Sequence, residues 1–244
     1  MTWSDERLAL VDEVDGFRLR GGASTRLDTF CDAAYAFAVT LLVVAGGVVP
    51  ASFAALVAAL RDVPAFLASF AAIAVIWLAH RQWSRRYGLE DGWTTLLSLA
   101  MVFVMLVYVY PLRMVASAFM AFASGGALPS SFVMSDPSDL TGLFVVYGIG
   151  FALQTAMLAA LHLRAGRAAG LRLNEGERLL TRPGVVAPGV MAAPGTHSAL
   201  AAGLLPPRLG VWSGFVYTTL AVTRPALSAR YRRAAERLRR RSEA

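Results

Sequence analysis

Long apolar runs separated by arginine-bearing loops are the feature that most constrains this chain. A helix needs about 20 apolar residues to cross a bilayer, and six stretches approach or exceed that length: about 30–49, 53–80, 94–121, 140–163, 185–205 and 209–222. Arg61, Asp62 and Pro64 stand near the outer end of the second, and Pro111 and Arg113 interrupt the third. The fourth is clean, the fifth holds Pro188, Pro194 and His197, and the sixth is short. Charged residues make up only 16% of the chain, against about 25% in soluble domains. That leaves too little polar surface to cover a soluble core. The sequence therefore predicts an all-α integral membrane protein of about six transmembrane helices, multi-pass in the cell membrane.

All 23 basic residues are arginine, and their placement orients the spans. Arginines crowd the segment before the first span, the loops after the second and fourth, and the tail. The alternate loops hold only Arg61, Arg113 and Arg208. Basic residues concentrate on the cytoplasmic side, so both termini are expected inside. Three regions follow: a cytoplasmic N-terminal segment, 1–25; a six-helix transmembrane domain, 26–223; and an Arg-rich cytoplasmic tail, 224–244. The first segment has no apolar stretch of signal-peptide type, so no cleavage is expected. The tail reads as a topology anchor that also meets anionic lipid. Charge distributed this way does not form the basic face of a nucleic-acid binder. The three His residues are far apart, the lone Cys31 has no partner, and no metal cluster or catalytic motif is present. An enzyme is not expected, nor a cofactor. Residues 125–139 read as an outer loop. His162 reads as interfacial and Gln154 as glue between helices. Trp83, Trp93, Tyr108, Tyr110 and Trp212 read as an interfacial belt.

Polar groups at membrane depth are expensive and mark function, which singles out the opening of the first span, Arg26-Leu27-Asp28-Thr29-Phe30-Cys31-Asp32. Arg26 and Phe30, four apart, share a helical face. Asp32 lies on another, so its partner must come from another helix or subunit. The second span runs antiparallel and ends on Trp77 and His80, three apart and on one face. Two readings fit. In one, Asp32, Trp77 and His80 form a polar knot with Arg26 nearby. In the other, Asp32 is a hydrated cap and His80 an ordinary interfacial residue.

Arg26, Phe30 and Asp32, followed by an apolar helix bearing Thr40-Leu41-Leu42-Val43, resemble the first helix of the bacterial TMEM175 family of potassium channels. That family's pattern there is R-x-x-x-F-S-D. The resemblance continues through Pro64-Ala65-Phe66-Leu67 and Trp77-Leu78-Ala79-His80-Arg81, covering roughly 26–115. Cys31 replaces the usual Ser and Arg81 a second His, and a thiol donates hydrogen bonds poorly. The resemblance implies a homotetramer whose first helices line the pore, with potassium as the permeant. It also implies an apolar constriction in place of a T-V-G-Y-G filter, a motif this sequence lacks. Carried onto this chain, the constriction falls at Phe37. Leu41 and Val44 continue the stripe, and Thr40 offers a hydroxyl beside it. Helical periodicity does not itself select these residues, because the span is apolar all round. A proton-coupled secondary transporter with an Asp32–His80 relay is the alternative, and the absence of an internal repeat counts against it.

Overall fold

A computed structural model describes residues 3–46, 49–204 and 233, apart from the side chains of 137, 190–199 and 201–204. The candidate sixth span and the Arg-rich tail, Arg233 excepted, lie outside the described residues. So does the side chain of His197.

The chain opens on a short helix, α1 (Asp5–Ala9), capped by the Ser4 hydroxyl. A two-stranded hairpin follows, β1 (Glu13–Val14) and β2 (Phe17–Arg18). Its turn is Asp15-Gly16, both at positive φ, the pairing that a tight two-residue hairpin demands. The hairpin exists to place Phe17, which is fully buried edge-on against Tyr87 at 5.3 Å.

Among the described residues, four helices are long and apolar enough to cross a membrane. The first, α2 (Arg26–Val44), starts at a reciprocal cap: the Thr25 hydroxyl accepts from the Asp28 N–H, and the Asp28 carboxylate accepts from the Thr25 N–H. The second, α4 (Val63–Tyr87), is shorter at its outer end than the sequence suggests. The stretch read as one span from residue 53 breaks at Asp62, leaving a separate helix, α3 (Phe53–Arg61), with no buried residue. Pro64 explains the break. It lacks an N–H and its ring is best accommodated in the first turn of a helix, so it starts α4 and does not continue α3.

The third, α5 (Gly92–Ala123), runs unbroken for 32 residues despite Pro111, as spanning helices allow when neighbours satisfy the freed carbonyl. Arg113 does not end the helix. Its buried guanidinium pairs with Asp62 at the start of α4 and lies over the Phe66 ring. The two charges that interrupt the hydropathy plot are each other's partners. The fourth, α6 (Pro137–Arg167), begins at an Asp136–Asp139 capping box. A 3-10 turn (Ala169–Leu171) then leads to α7 (Glu175–Leu204), helical through Pro188 and Pro194. This helix covers the candidate fifth span but is not among the four apolar enough to qualify.

The helices pack in sequence, α2 against α4 and α5, α5 against α6, and α6 against α7. Two cores result. One joins Tyr35, Ala38 and Leu42 of α2 to Ile73 of α4 and Met105 and Val109 of α5. The other lies at the hairpin end, where Phe17, Trp83, Tyr87, Leu161 and Leu171 meet. Trp83 and Tyr108 are therefore core residues and not members of an interfacial belt, whereas Trp93 and Tyr110 are exposed. His162 is also buried, its Nδ1 on the Leu158 carbonyl at 2.9 Å and its ring edge-on to Tyr87. Gln154 does act as glue, donating from Nε2 to the Met101 carbonyl of α5 at 2.9 Å.

Candidate functional site

The site is α2 and what holds it. Two carboxylates on its first two turns grip α4. Asp32 Oδ1 accepts from Trp77 Nε1 at 2.7 Å, and Asp28 Oδ1 accepts from Ser84 Oγ at 2.5 Å. The partners descend in sequence as α2 ascends, which is the register of antiparallel helices. Arg81 lies over the Trp77 ring at 5.5 Å and so backs the indole that holds Asp32. His80 is not in this group. It is buried, with Nε2 3.0 Å from Ser98 Oγ of α5 and its ring beside Tyr35 and Trp83. An Asp32–His80 relay is not assembled. Cys31 is buried in the core and behaves there as a small apolar residue.

The remaining face of α2 is exposed among the described residues. Arg26, Phe30, Ala33, Phe37, Thr40 and Val44 are all exposed and recur at helical spacing. Phe37 is 54% exposed and Val44 67%, high for apolar residues in a helix packed so closely on its other side. Leu41 is at the edge of this face, half-buried against the Leu42–Val109 core. The four residues carried over from the resemblance thus divide: Phe37, Thr40 and Val44 lie open, and Leu41 faces partly inward. Thr40 gives its proton to the Ala36 carbonyl at 3.3 Å, which leaves its oxygen lone pairs free.

A second cluster lies at the same end as Asp28. Glu177, at the start of α7, is buried and accepts from Arg18 at 3.1 and 2.9 Å and from Arg20 at 2.9 Å twice. The backbone N–H groups of Arg18 and Asn174 add two more bonds. Burial opposes its ionisation, yet the Arg20 and Arg18 guanidiniums with these N–H groups outweigh it and hold the carboxyl down at about 2. Just after Arg20, the N–H of Gly21 donates to the Arg85 carbonyl, and a side chain there would strike the Ser84 carbonyl. The clasp therefore fixes the strand of chain that feeds into α2. It also places Arg18 and Arg20 of the N-terminal segment beside the α6–α7 connection. The sequence treats Arg18 and Arg20 only as topology charges. The signals that reveal the cluster are the Asp15-Gly16 hairpin turn and the Asn174-x-x-Glu177 capping spacing, while Thr25-x-x-Asp28 marks the cap of α2.

Fold and site define a multi-pass helical membrane protein whose first span is gripped on one side and open along the other. Residues 26–111, which hold this whole arrangement except the clasp, match the family model described as the endosomal/lysosomal potassium channel TMEM175. A protein of Marivirga tractuosa named "Potassium channel" is 35% identical over 212 residues, 82% of this chain and 85% of its own length. The fold is similar to a solved structure of the potassium channel MtTMEM175, a threonine-to-alanine variant in complex with a nanobody–MBP fusion. That match has a TM-score of 0.77 and 30% identity, over 93% of this chain and 100% of the other. The chain belongs to the TMEM175 family. Its matched relatives are ion channels and not enzymes.

Proposed function

We propose that the chain is one subunit of a tetrameric, potassium-preferring cation channel of the cell membrane, with one α2 from each subunit lining a central pore. The open face of α2 carries this reading. Facing hydrocarbon, the exposed Arg26 and Asp32 of that helix would be expensive, whereas a water-filled pore accepts them at its mouth. Four copies of Phe37 make an apolar ring that excludes water and so blocks ions until it widens. Val44 and the edge residue Leu41 extend the apolar wall. Thr40 presents free lone pairs to a partly dehydrated cation, because its proton is committed to Ala36. The outer end of α2 is a helix C-terminus, whose partial negative charge favours cations over anions. With no T-V-G-Y-G carbonyl filter, selectivity for potassium over sodium is modest. Potassium is the permeant and no cofactor takes part.

Within this reading Asp32, Trp77 and Cys31, with Arg26 and Phe30 at the mouth, fix the angle at which α2 enters the pore, and His80 braces α4 against α5. Six spans with both termini in the cytoplasm complete the subunit. The supports are the arginine distribution and the Glu177 clasp, which ties Arg18 and Arg20 of the N-terminal segment to the start of α7. The Arg-rich tail meets anionic lipid. The test is potassium flux from purified protein in liposomes, with sodium and caesium compared. Wild type is expected to pass potassium, and Phe37→Ala to pass more. No flux from either protein overturns the proposal.

A further inference from the structure

Away from α2, two connected hollows run along α4 and share Val75, Ala79, Gln82 and Arg86. The larger, about 650 Å³, lies between α4 and α7 over a floor of α5 and α6. Ala71, Val75, Leu112, Phe151, Ala187 and Pro188 line its deep part. It exists because the facing residues on α4 and α7 are mostly alanine, proline and glycine, too small to close the gap. The smaller, about 420 Å³, continues to the cytoplasmic end, where Arg81, Gln82, Arg85 and Arg86 form its rim. From Ala71 to Arg86 is about 22 Å along the helix, enough to reach from the membrane surface past the midplane of a hydrocarbon core about 30 Å thick.

The rim carries unbalanced charge. Arg81 and Arg85 are four apart on one helical face, a like-charge spacing that disfavours the helix unless something neutralises it. Among the described residues, none of Arg81, Arg85 and Arg86 forms an ion pair. Asp15 is the one carboxylate lining the rim, against three guanidiniums. Stacking on rings holds two of these in place, Arg81 on Trp77 and Arg86 on Phe17. Positive at the membrane surface and apolar below it, the cleft repeats the polarity of a lipid. A soluble anion would occupy the rim and leave the apolar hollow empty.

The geometry points to a bound anionic phospholipid of the cytoplasmic leaflet, its phosphate on Arg81 and Arg85 and one acyl chain lying between α4 and α7. Guanidinium forks suit phosphate oxygens, and that leaflet is the anionic one. The site is separate from the pore, so its occupancy is measurable whether or not the channel conducts. Native mass spectrometry of the delipidated, intact assembly, resupplied with phosphatidylglycerol or phosphatidylcholine, tests it. Wild type is expected to retain phosphatidylglycerol in preference. Arg81→Gln with Arg85→Gln is expected to lower that retention by roughly thirtyfold, as removing two basic contacts to an anionic headgroup implies. Ala71→Trp, which fills the deep hollow and leaves the charge unchanged, is expected to lower it as well. Val75→Trp takes its place if Ala71→Trp alters the assembled mass. Equal retention of the two lipids overturns the proposal, and so does retention unaffected by the arginine changes. Retention that survives the tryptophan means attraction to a charged surface only, and overturns it too.

Discussion

Glu177 and Phe37 are opposite extremes of one subunit. Glu177 has a side chain 1% exposed and every acceptor site engaged, by two guanidiniums and two backbone N–H groups. Phe37 keeps 54% of its surface free in a helix whose other side is packed tight. The clasp is complete within the single chain. The open α2 face has no such partner among the described residues, and in the proposed channel another copy or a column of water lies against it. The difference separates what holds the subunit together from what the subunit is for.

The largest effect is expected at the clasp. Glu177→Gln leaves the Arg20 guanidinium, whose side chain is fully buried, without its counter-charge. Orphaning a buried ion this way costs about 3–5 kcal/mol. Thermal unfolding in detergent is expected to fall by many degrees, and a shift within error would mean that the clasp is not structural. Phe37→Ala inverts the pattern. It is expected to raise potassium flux severalfold while the unfolding temperature barely moves, because the ring has few neighbours to lose. A large destabilisation without added flux would make α2's open face a packing surface and erase the contrast.

Ser98→Ala lies between the two. It strips His80 of its hydrogen-bond partner in a dry environment, at about 1–3 kcal/mol, measured by the same thermal assay. If flux stays at the wild-type level, His80 serves the α4–α5 contact and not conduction. The effect of acid appears only well below neutral pH. The Glu177 carboxyl is held at about 2, below its ordinary 4.5, so its ionised form favours the fold. That contribution is fully present above about pH 4.5 and is lost as pH falls toward 2. Between pH 7 and 5 stability is expected to stay level on this account. Below pH 4.5 wild type is expected to lose more stability than Glu177→Gln, which has no proton to take up there.

Some spans are more legible than others for a physical reason. Spans one, three and four are apolar over lengths that the bilayer dictates, and each begins at a capping pair readable in the sequence. Hydropathy overextends span two because it does not register that Pro64 favours the start of a helix. The site was legible in part. Asp32 needed a partner from another helix, and Trp77, one of the two offered by the antiparallel end of span two, supplies it. His80 was harder. Sharing a face with Trp77 does not fix which neighbour that face meets, and three positions along the helix have turned it toward α5. Asp28 went unremarked because a carboxylate one turn into a helix reads as a cap, and it is one, while its other oxygen holds Ser84. Trp83, Tyr108 and His162 mislead for a related reason: aromatic residues near span ends mark an interface only when they face outward.

By itself the sequence determined that this chain is a membrane protein and that the first span is unlike the rest, and it predicts how the spans are oriented. Those follow from the thickness of hydrocarbon and the cost of placing charge in it, which act on residue type alone. Only the tertiary structure decided which face of α2 stays open, that Asp62 and Arg113 neutralise each other, and that Glu177 locks the entry to α2. The last two are pairings between residues about 50 to 160 positions apart, and no local property of either partner encodes the other.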